Sequence, residues 1–270
     1  MKEIAIVYMV AGISSRFGGK IKQLIKITDE ETLIEYSLKQ SIKAGITKII
    51  FIVGNKTESA FKELFKSKYR GIPVYYALQK FDEATRERPW GTADALMSTA
   101  EIINCPFIVC NGDDIYGEST FKILADHLIK INSEEAIIGY KLIDTLPESG
   151  KVNRGIIKTE DSYVKEIVET FGIEKSNLGA TNTFPEDLCS MNIFALHPKT
   201  LKILGRKVES FKQKYQDDKR AECLLPTEIS NLIKSDNLKI RVYPATEKWF
   251  GVTNPEDEEI VRKIIKKSLS

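Results

Sequence analysis

Ile4-Ala5-Ile6-Val7-Tyr8-Met9-Val10-Ala11-Gly12-Ile13-Ser14-Ser15-Arg16-Phe17-Gly18-Gly19-Lys20, with Ile21-Lys22-Gln23-Leu24 directly behind it, sets the reading of the whole chain. Ile4–Met9 is an uninterrupted apolar run of strand length, as expected of a parallel strand buried on both faces. The loop after it combines glycines, serines, one arginine and two lysines. Such a loop lets backbone N–H groups and positive charge approach a polyphosphate without bulky side chains intervening. It is not a P-loop, because Phe17 stands where the second glycine belongs and Ile21, not Ser or Thr, follows Gly18-Gly19-Lys20. No G-x-G-x-x-G fits either. Arg16 reads as a phosphate contact, since a guanidinium fork matches phosphate oxygens bidentately.

Outward from this loop, strand and helix signals alternate. Thr32-Leu33-Ile34-Glu35 is a capping box that opens a helix, with Ile34, Leu38 and Ile42 on its inner face and Gly45 as its stop. Lys48–Val53 and Pro73–Ala77 read as strands around a helix at Thr57–Lys68. Gly91 to Ile102 reads as a helix before the strand Pro106–Cys110. This alternation predicts βαβ units in a Rossmann-like, three-layer α/β/α fold with a mixed, mainly parallel central sheet. Ligands of such sheets bind beyond the carboxyl ends of the strands, so Met9–Ala11, Ala77–Gln79 and Cys110–Asp114 should converge on one crevice.

The second half predicts mixed, partly antiparallel strands at Glu135–Leu142, Gly155–Thr159, Tyr163–Val168, Ser190–Leu196 and Lys239–Pro244. Helices are expected at Lys199–Gly205, Val208–Tyr215 and Pro226–Ser235. A last helix is capped by Asn254 with Pro255 behind it, and turns Ile260, Val261, Ile264 and Ile265 inward. With no linker or repeat, residues 1–270 read as one domain: a nucleotide-binding half (1–118) and an acceptor-binding half with the C-terminal helix (119–270).

The balance of 40 basic and 38 acidic residues argues against a nucleic-acid-binding surface as the main business. Cys105, Cys110, Cys189 and Cys223 form no C-x-x-C pair and no metal-ligand spacing with His127 and His197. They read as reduced, buried thiols of a cytoplasmic protein. The chain opens on Lys2-Glu3 and a strand without a signal-peptide pattern, and no apolar run approaches a membrane span. Neither nucleic acid nor membrane is expected as a partner, and oligomeric state stays open.

Asp113-Asp114 follows a strand into the expected crevice. Mg²⁺ is held by one or two carboxylates plus substrate phosphates, so Asp113 is the candidate metal ligand, while Asp114 is open between a supporting and a capping role. Asp257, three residues past Asn254, reads first as a helix-start acid and second as a metal ligand.

Taken in order, Val10–Gly19, Lys22-Gln23-Leu24, Gln79, Pro89-Trp90-Gly91-Thr92-Ala93, Asn111–Gly117, Ser190-Met191-Asn192 and Trp249–Thr253 resemble the sugar-phosphate nucleotidyltransferase family of glycosyltransferase-A-like fold. The glucose-1-phosphate uridylyltransferase-like and MobA-like branches are the nearest in motif. The resemblance implies that Ala11, Gly12, Gln79, Gly91 and Thr92 hold the nucleoside, and that the loop Gly12, Ile13, Ser14, Ser15 and Arg16 wraps the triphosphate. Arg16 and Lys22 would be the catalytic cations, Asp113 the Mg²⁺ ligand, and Gly155, Glu169 and Asn192 the acceptor contacts. Ser14 stands where most of the family has glycine, and Gly251 where many relatives carry a second metal-binding Asp or Asn. Lys20 competes with Lys22 for the lysine role, and the Lys-Gln-Leu context favours Lys22.

The implied activity is Mg²⁺-dependent transfer of a nucleotidyl group from an NTP, UTP or another pyrimidine NTP favoured, to a sugar-1-phosphate. Pyrophosphate is released. The alternatives are a cytidylyltransferase acting on phosphocholine or an alditol phosphate, and a glycosyltransferase using an NDP-sugar.

Overall fold

The computed structural model describes residues 2–13, 18–131, 133–235, 237–252, 258, 259, 261–263 and 265. Twelve strands follow one another as β1 (Ala5–Met9), β2 (Lys48–Val53), β3 (Lys68–Tyr69), β4 (Ile72–Leu78), β5 (Phe107–Asn111), β6 (Asp114–Ile115), β7 (Glu135–Lys141), β8 (Val152–Glu160), β9 (Tyr163–Ile173), β10 (Leu188–Leu196), β11 (Ile240–Pro244) and β12 (Phe250–Gly251). The helices are α1 (Leu33–Lys43), α2 (Glu58–Phe65), α3 (Thr92–Met97), α4 (Glu118–Lys130), α5 (Pro198–Lys214) and α6 (Leu225–Lys234). Ten strands form one sheet in the order β3-β4-β2-β1-β5-β10-β7-β11-β9-β8, and β12 pairs with β6 in a separate ladder.

β4, β2, β1 and β5 are parallel, as expected of βαβ units. Beyond β5 the pairing is antiparallel except for β11 beside β7, so "mainly parallel" holds for the first half of the chain only. β10 is the pivot. Its Phe194–Leu196 end pairs with β5, whereas Leu188–Ser190 pairs with Gly155–Ile157 of β8. Between the two, its register against β7 shifts and Asn192 takes the left-handed φ of 57°.

Side chains alternate along each strand and fill two apolar clusters. Ile4, Ile6, Tyr8 and Val10 face Ile34 and Leu38 of α1, Phe61 and Phe65 of α2, and Phe121 and Leu124 of α4. Ala5 and Val7 belong with Leu96 of α3, Leu201 and Leu204 of α5, and Ile229 and Leu232 of α6. The capping box is in place: Glu35 N–H donates to Thr32 Oγ1 at 3.4 Å and Thr32 N–H to Glu35 Oε2 at 3.0 Å.

Two differences from the sequence reading have clear causes. Glu118–Lys130, unassigned in the sequence, is a helix whose buried Phe121, Leu124, Ala125 and Leu128 follow helical spacing. The two short helices expected from Lys199 to Tyr215 are one, α5. Gly205, which suggested a break, sits inside it; a Cβ there would lie 3.0 Å from Met97 Cε of α3. That close approach offsets the helix penalty of glycine, about 1 kcal/mol. Of the last helix, Asn254, Pro255, Ile260 and Ile264 lie outside the described residues. Val261 and Ile265 are buried with Ile27, Leu33, Ile115 and Val252.

Candidate active site

The carboxyl ends of β1, β4 and β5 do converge. Met9, Ala11, Gly12, Ile13, Gln79, Asn111 and Asp113 line a cleft of about 510 Å³ together with Lys22, Gly91 and Thr92. Gln79 is set by its own N–H, which donates to Val53 O at 2.8 Å at the end of β2, and its side-chain amide nitrogen lies 3.5 Å from Gly91 O. The far wall comes from the other half of the chain: Cys223 N–H donates to Trp90 O at 2.6 Å, Ala93 N–H to Cys223 O at 3.0 Å, and Leu225 N–H to Thr92 Oγ1 at 2.9 Å. Arg86 braces this wall from behind. Its guanidinium lies 3.2 Å from the Trp90 ring centroid and donates to Asp218 O and Ala221 O.

Gly91 is fixed by this packing. Its φ is +99°, and a Cβ would stand 2.6 Å from Cys223 O and 2.8 Å from Cys223 N. Gly91→Ala should therefore cost about 2–5 kcal/mol of stability through strain and overpacking. Urea denaturation should show the midpoint falling with the slope unchanged.

A second cleft of about 620 Å³ opens where β8, β9 and β10 meet. The strand registers place Gly155 opposite both Glu169 and Ser190, with Asn192 two residues on at the β10 pivot. A Cβ on Gly155 would lie 2.9 Å from Ile167 Cγ2 and 3.1 Å from Glu169 Oε1, so glycine leaves the carboxylate its room. Burial raises the Glu169 carboxyl above its ordinary value, and Arg154 draws it partly back. Gly155, Glu169 and Asn192 thus share one surface, joined by Trp249 and by Arg154 and Lys151, which no sequence motif marked.

Lys22, Thr92, Asn111 and Asp113 line both clefts. Lys22 begins a short 3-10 turn, Lys22–Leu24, that turns its ammonium inward to form an ion pair with Asp113 and donate to Val252 O at 2.9 Å. Lys20 is exposed, so it is Lys22 that the fold brings to Asp113. Asp114 points away from solvent: Asn111 Nδ2 donates to its Oδ2 at 2.9 Å, and the Tyr116 hydroxyl, 3.1 Å from the same oxygen, also lies 2.8 Å from Met191 O. Asp114 is therefore a support that ties the β5 end to the β10 pivot, not a helix cap.

Burial, reinforced by the Asp113 charge, pushes the Asp114 carboxyl up from 3.8 to about 7. The folded state then holds a proton that the unfolded chain releases, so this group's contribution makes stability fall as pH rises from about 4 to 7. Thermal melts across that range should show a shallower decline in Asp114→Asn.

Among the described residues no three His, Cys, Asp or Glu side chains are grouped to hold a metal. Asp113 is 27% exposed at the junction of the clefts. One carboxylate facing a space for phosphates fits an ion that is bound largely by substrate and water. Gly251 adds no ligand, because a Cβ there would stand 2.3 Å from the Trp249 ring and 3.0 Å from Asp114 Oδ1. Ser14, Ser15, Arg16 and Asp257 lie outside the described residues. All four cysteines are free and buried. No helix among the described residues is long and apolar enough to cross a membrane.

The chain is similar to several known proteins. The chain is 23% identical over 273 residues to a UDP-N-acetylglucosamine pyrophosphorylase-type protein of Acanthamoeba polyphaga mimivirus, covering 98% of this chain and 97% of that one. It is 23% identical over 173 residues to bifunctional protein GlmU of Geobacillus thermodenitrificans, over 63% of this chain and only 34% of GlmU's length. Among solved structures, a UDP-glucose pyrophosphorylase in complex with UDP-glucose superposes with a TM-score of 0.69 at 18% identity, over 99% of this chain and 100% of that one. The inositol-1-phosphate CTP transferase from T. maritima gives 0.66 at 13% identity, over 97% and 96%. At these identities the structural likeness establishes the fold. The profile of the nucleotidyl transferase family matches residues 18–257, which take in the second cleft, the Lys22–Asp113 junction and the first cleft apart from its Met9–Ile13 edge, and the chain belongs to that family.

Proposed function

We propose that the protein joins an NTP to a sugar-1-phosphate, giving an NDP-sugar and pyrophosphate. The carrying observation is the pair of clefts that meet at Lys22 and Asp113, the arrangement needed to bring two phosphorylated substrates together at one point. In this reading the first cleft takes the nucleoside triphosphate and the second takes the sugar phosphate. A phosphate oxygen of the acceptor attacks the α-phosphorus in line, the bond from that phosphorus to the bridging oxygen breaks, and pyrophosphate leaves with the electron pair. A phosphate oxygen is already a competent nucleophile, so positioning and charge neutralisation carry the reaction.

Lys22 serves as the cation shared by the α-phosphate and the incoming phosphate, and Arg16 as a cation of the triphosphate loop. Asp113 would hold Mg²⁺, which neutralises phosphate charge when bound. The side-chain amide of Gln79, oriented by its nitrogen's approach to Gly91 O, leaves its oxygen to accept a hydrogen bond. An acceptor at that point suits the N3–H of uracil or thymine, which supports UTP or dTTP.

Incubation with Mg²⁺, each NTP in turn and a panel of phosphate acceptors tests the proposal through pyrophosphate release. Release with UTP and a hexose-1-phosphate is the expected result. Silence with every pair rejects a transferase of this kind, and consumption of an NDP-sugar alone would point to glycosyl transfer.

A further inference from the structure

Arg154 in the second cleft carries a charge that the fold does not neutralise. Its Nε donates to Thr145 Oγ1 at 3.2 Å, one terminal nitrogen to Thr145 O at 2.6 Å and the other to Asn153 O at 2.9 Å. All three acceptors are neutral, and they leave two of the five guanidinium N–H groups uncommitted. No carboxylate lies within ion-pair distance of it among the described residues. Burial presses the guanidinium below its ordinary value, and the carboxylates of Asp114 and Glu169 act on it only from a distance. Holding a half-buried cation with neutral acceptors alone is costly unless an anion completes the site.

The surroundings indicate what kind of anion. The guanidinium lies 5.4 Å from the Trp249 ring centroid, and the same ring is packed against the backbone at Gly251. Lys151 adds a second cation to the cleft, while Glu169, Asn153 and Asn192 offer hydrogen bonds to hydroxyl groups. A ring already engaged by a guanidinium is a poor partner for a quaternary ammonium, which needs an open aromatic face. We propose that Arg154 is an anion-binding residue of the second cleft whose ligand is the phosphate of the acceptor, and that it selects phosphates of neutral, hydroxylated bodies over phosphocholine. This rests on the transferase reading for the identity of the acceptor, and on the cleft alone for the anion.

The test separates the two. The chain has two tryptophans, so Trp90→Phe leaves Trp249 as the sole indole and a direct reporter of the second cleft. In that background, titration with inorganic phosphate should change Trp249 fluorescence saturably. Arg154→Gln should weaken this binding about 10- to 100-fold, as loss of a charge-assisted contact implies, with Arg154→Lys falling between. Circular dichroism melts confirm that each variant is folded. With an active substrate pair, Arg154→Gln should raise the acceptor KM and leave the NTP KM unchanged, an asymmetry that mere loss of packing around Thr145 would not produce.

Undiminished phosphate binding by Arg154→Gln, or no Trp249 response in the parent, overturns the anion site. Tighter binding of phosphocholine than of glucose-1-phosphate overturns the selectivity. If phosphate binding depends on Arg154 but no substrate pair releases pyrophosphate, the anion site stands and the transferase reading falls.

Discussion

Lys22→Ala should lower kcat by about 10²- to 10³-fold, the scale seen when one preorganised donor to developing charge is removed. The argument is positional. Lys22 is the cation common to both clefts, with its side chain 15% exposed and anchored by Asp113 and Val252 O. In the proposed reaction an ammonium held there would meet the α-phosphate and the attacking phosphate at once, and would need no reorganisation as charge develops. Lys20→Ala is the matched control. That lysine is exposed on the same loop, and its loss should leave turnover close to wild type. Steady-state kinetics on both variants decides the register. A drop in Lys20→Ala with normal turnover in Lys22→Ala would reverse the assignment.

With Asp113 as the proposed Mg²⁺ ligand, Asp113→Asn should be as damaging, with turnover reduced at least ~10²-fold at ordinary Mg²⁺ concentration, because several kcal/mol of charge stabilisation would then depend on the ion. The substitution keeps shape and removes only charge, so the melting temperature should change little. It also breaks the ion pair with Lys22. The two losses are separable by titrating Mg²⁺: an Asp113→Asn defect that shrinks as the metal is raised reflects weakened ion binding. A defect that ignores the metal means that Asp113 acts only by holding Lys22, and that the metal-ligand assignment is wrong.

Much of this was legible in the sequence because it is local. Burial on both faces makes β1 and β2 continuous apolar runs, and the capping box of α1 is a four-residue pattern. The strand ends then name Ala11, Gln79 and Asp113, since an open parallel sheet places its crevice there. What stayed hidden depends on pairing between distant segments. Arg154 looks like any charged residue of an antiparallel strand until β10 leaves β5 and joins β8, which turns that strand toward the clefts. Trp249 and Gly251 stand in one short motif, but the place of the ring also depends on Arg154, which forms no motif with it. The fate of Asp114 is set by Tyr116 and the carbonyl of Met191, 75 positions beyond Tyr116. Gly251 had a visible oddity, the missing acid, but its reason is a neighbouring indole ring.

The tie between Lys22 and Val252 spans 230 positions, and the β12–β6 ladder beside it joins residues 250 and 251 to 115 and 114. That sets a clock on the protein's birth. On the ribosome, β1, β2, β4 and β5 can consolidate early, since they pair among themselves within residues 5–111. Lys22 then waits 230 positions of synthesis for its carbonyl partner. A nascent chain stopped short of residue 249 would own every residue that lines the first cleft, with Lys22 held by Asp113 alone. The junction of the clefts is complete only once residues 250–252 are made and close over the middle of the chain.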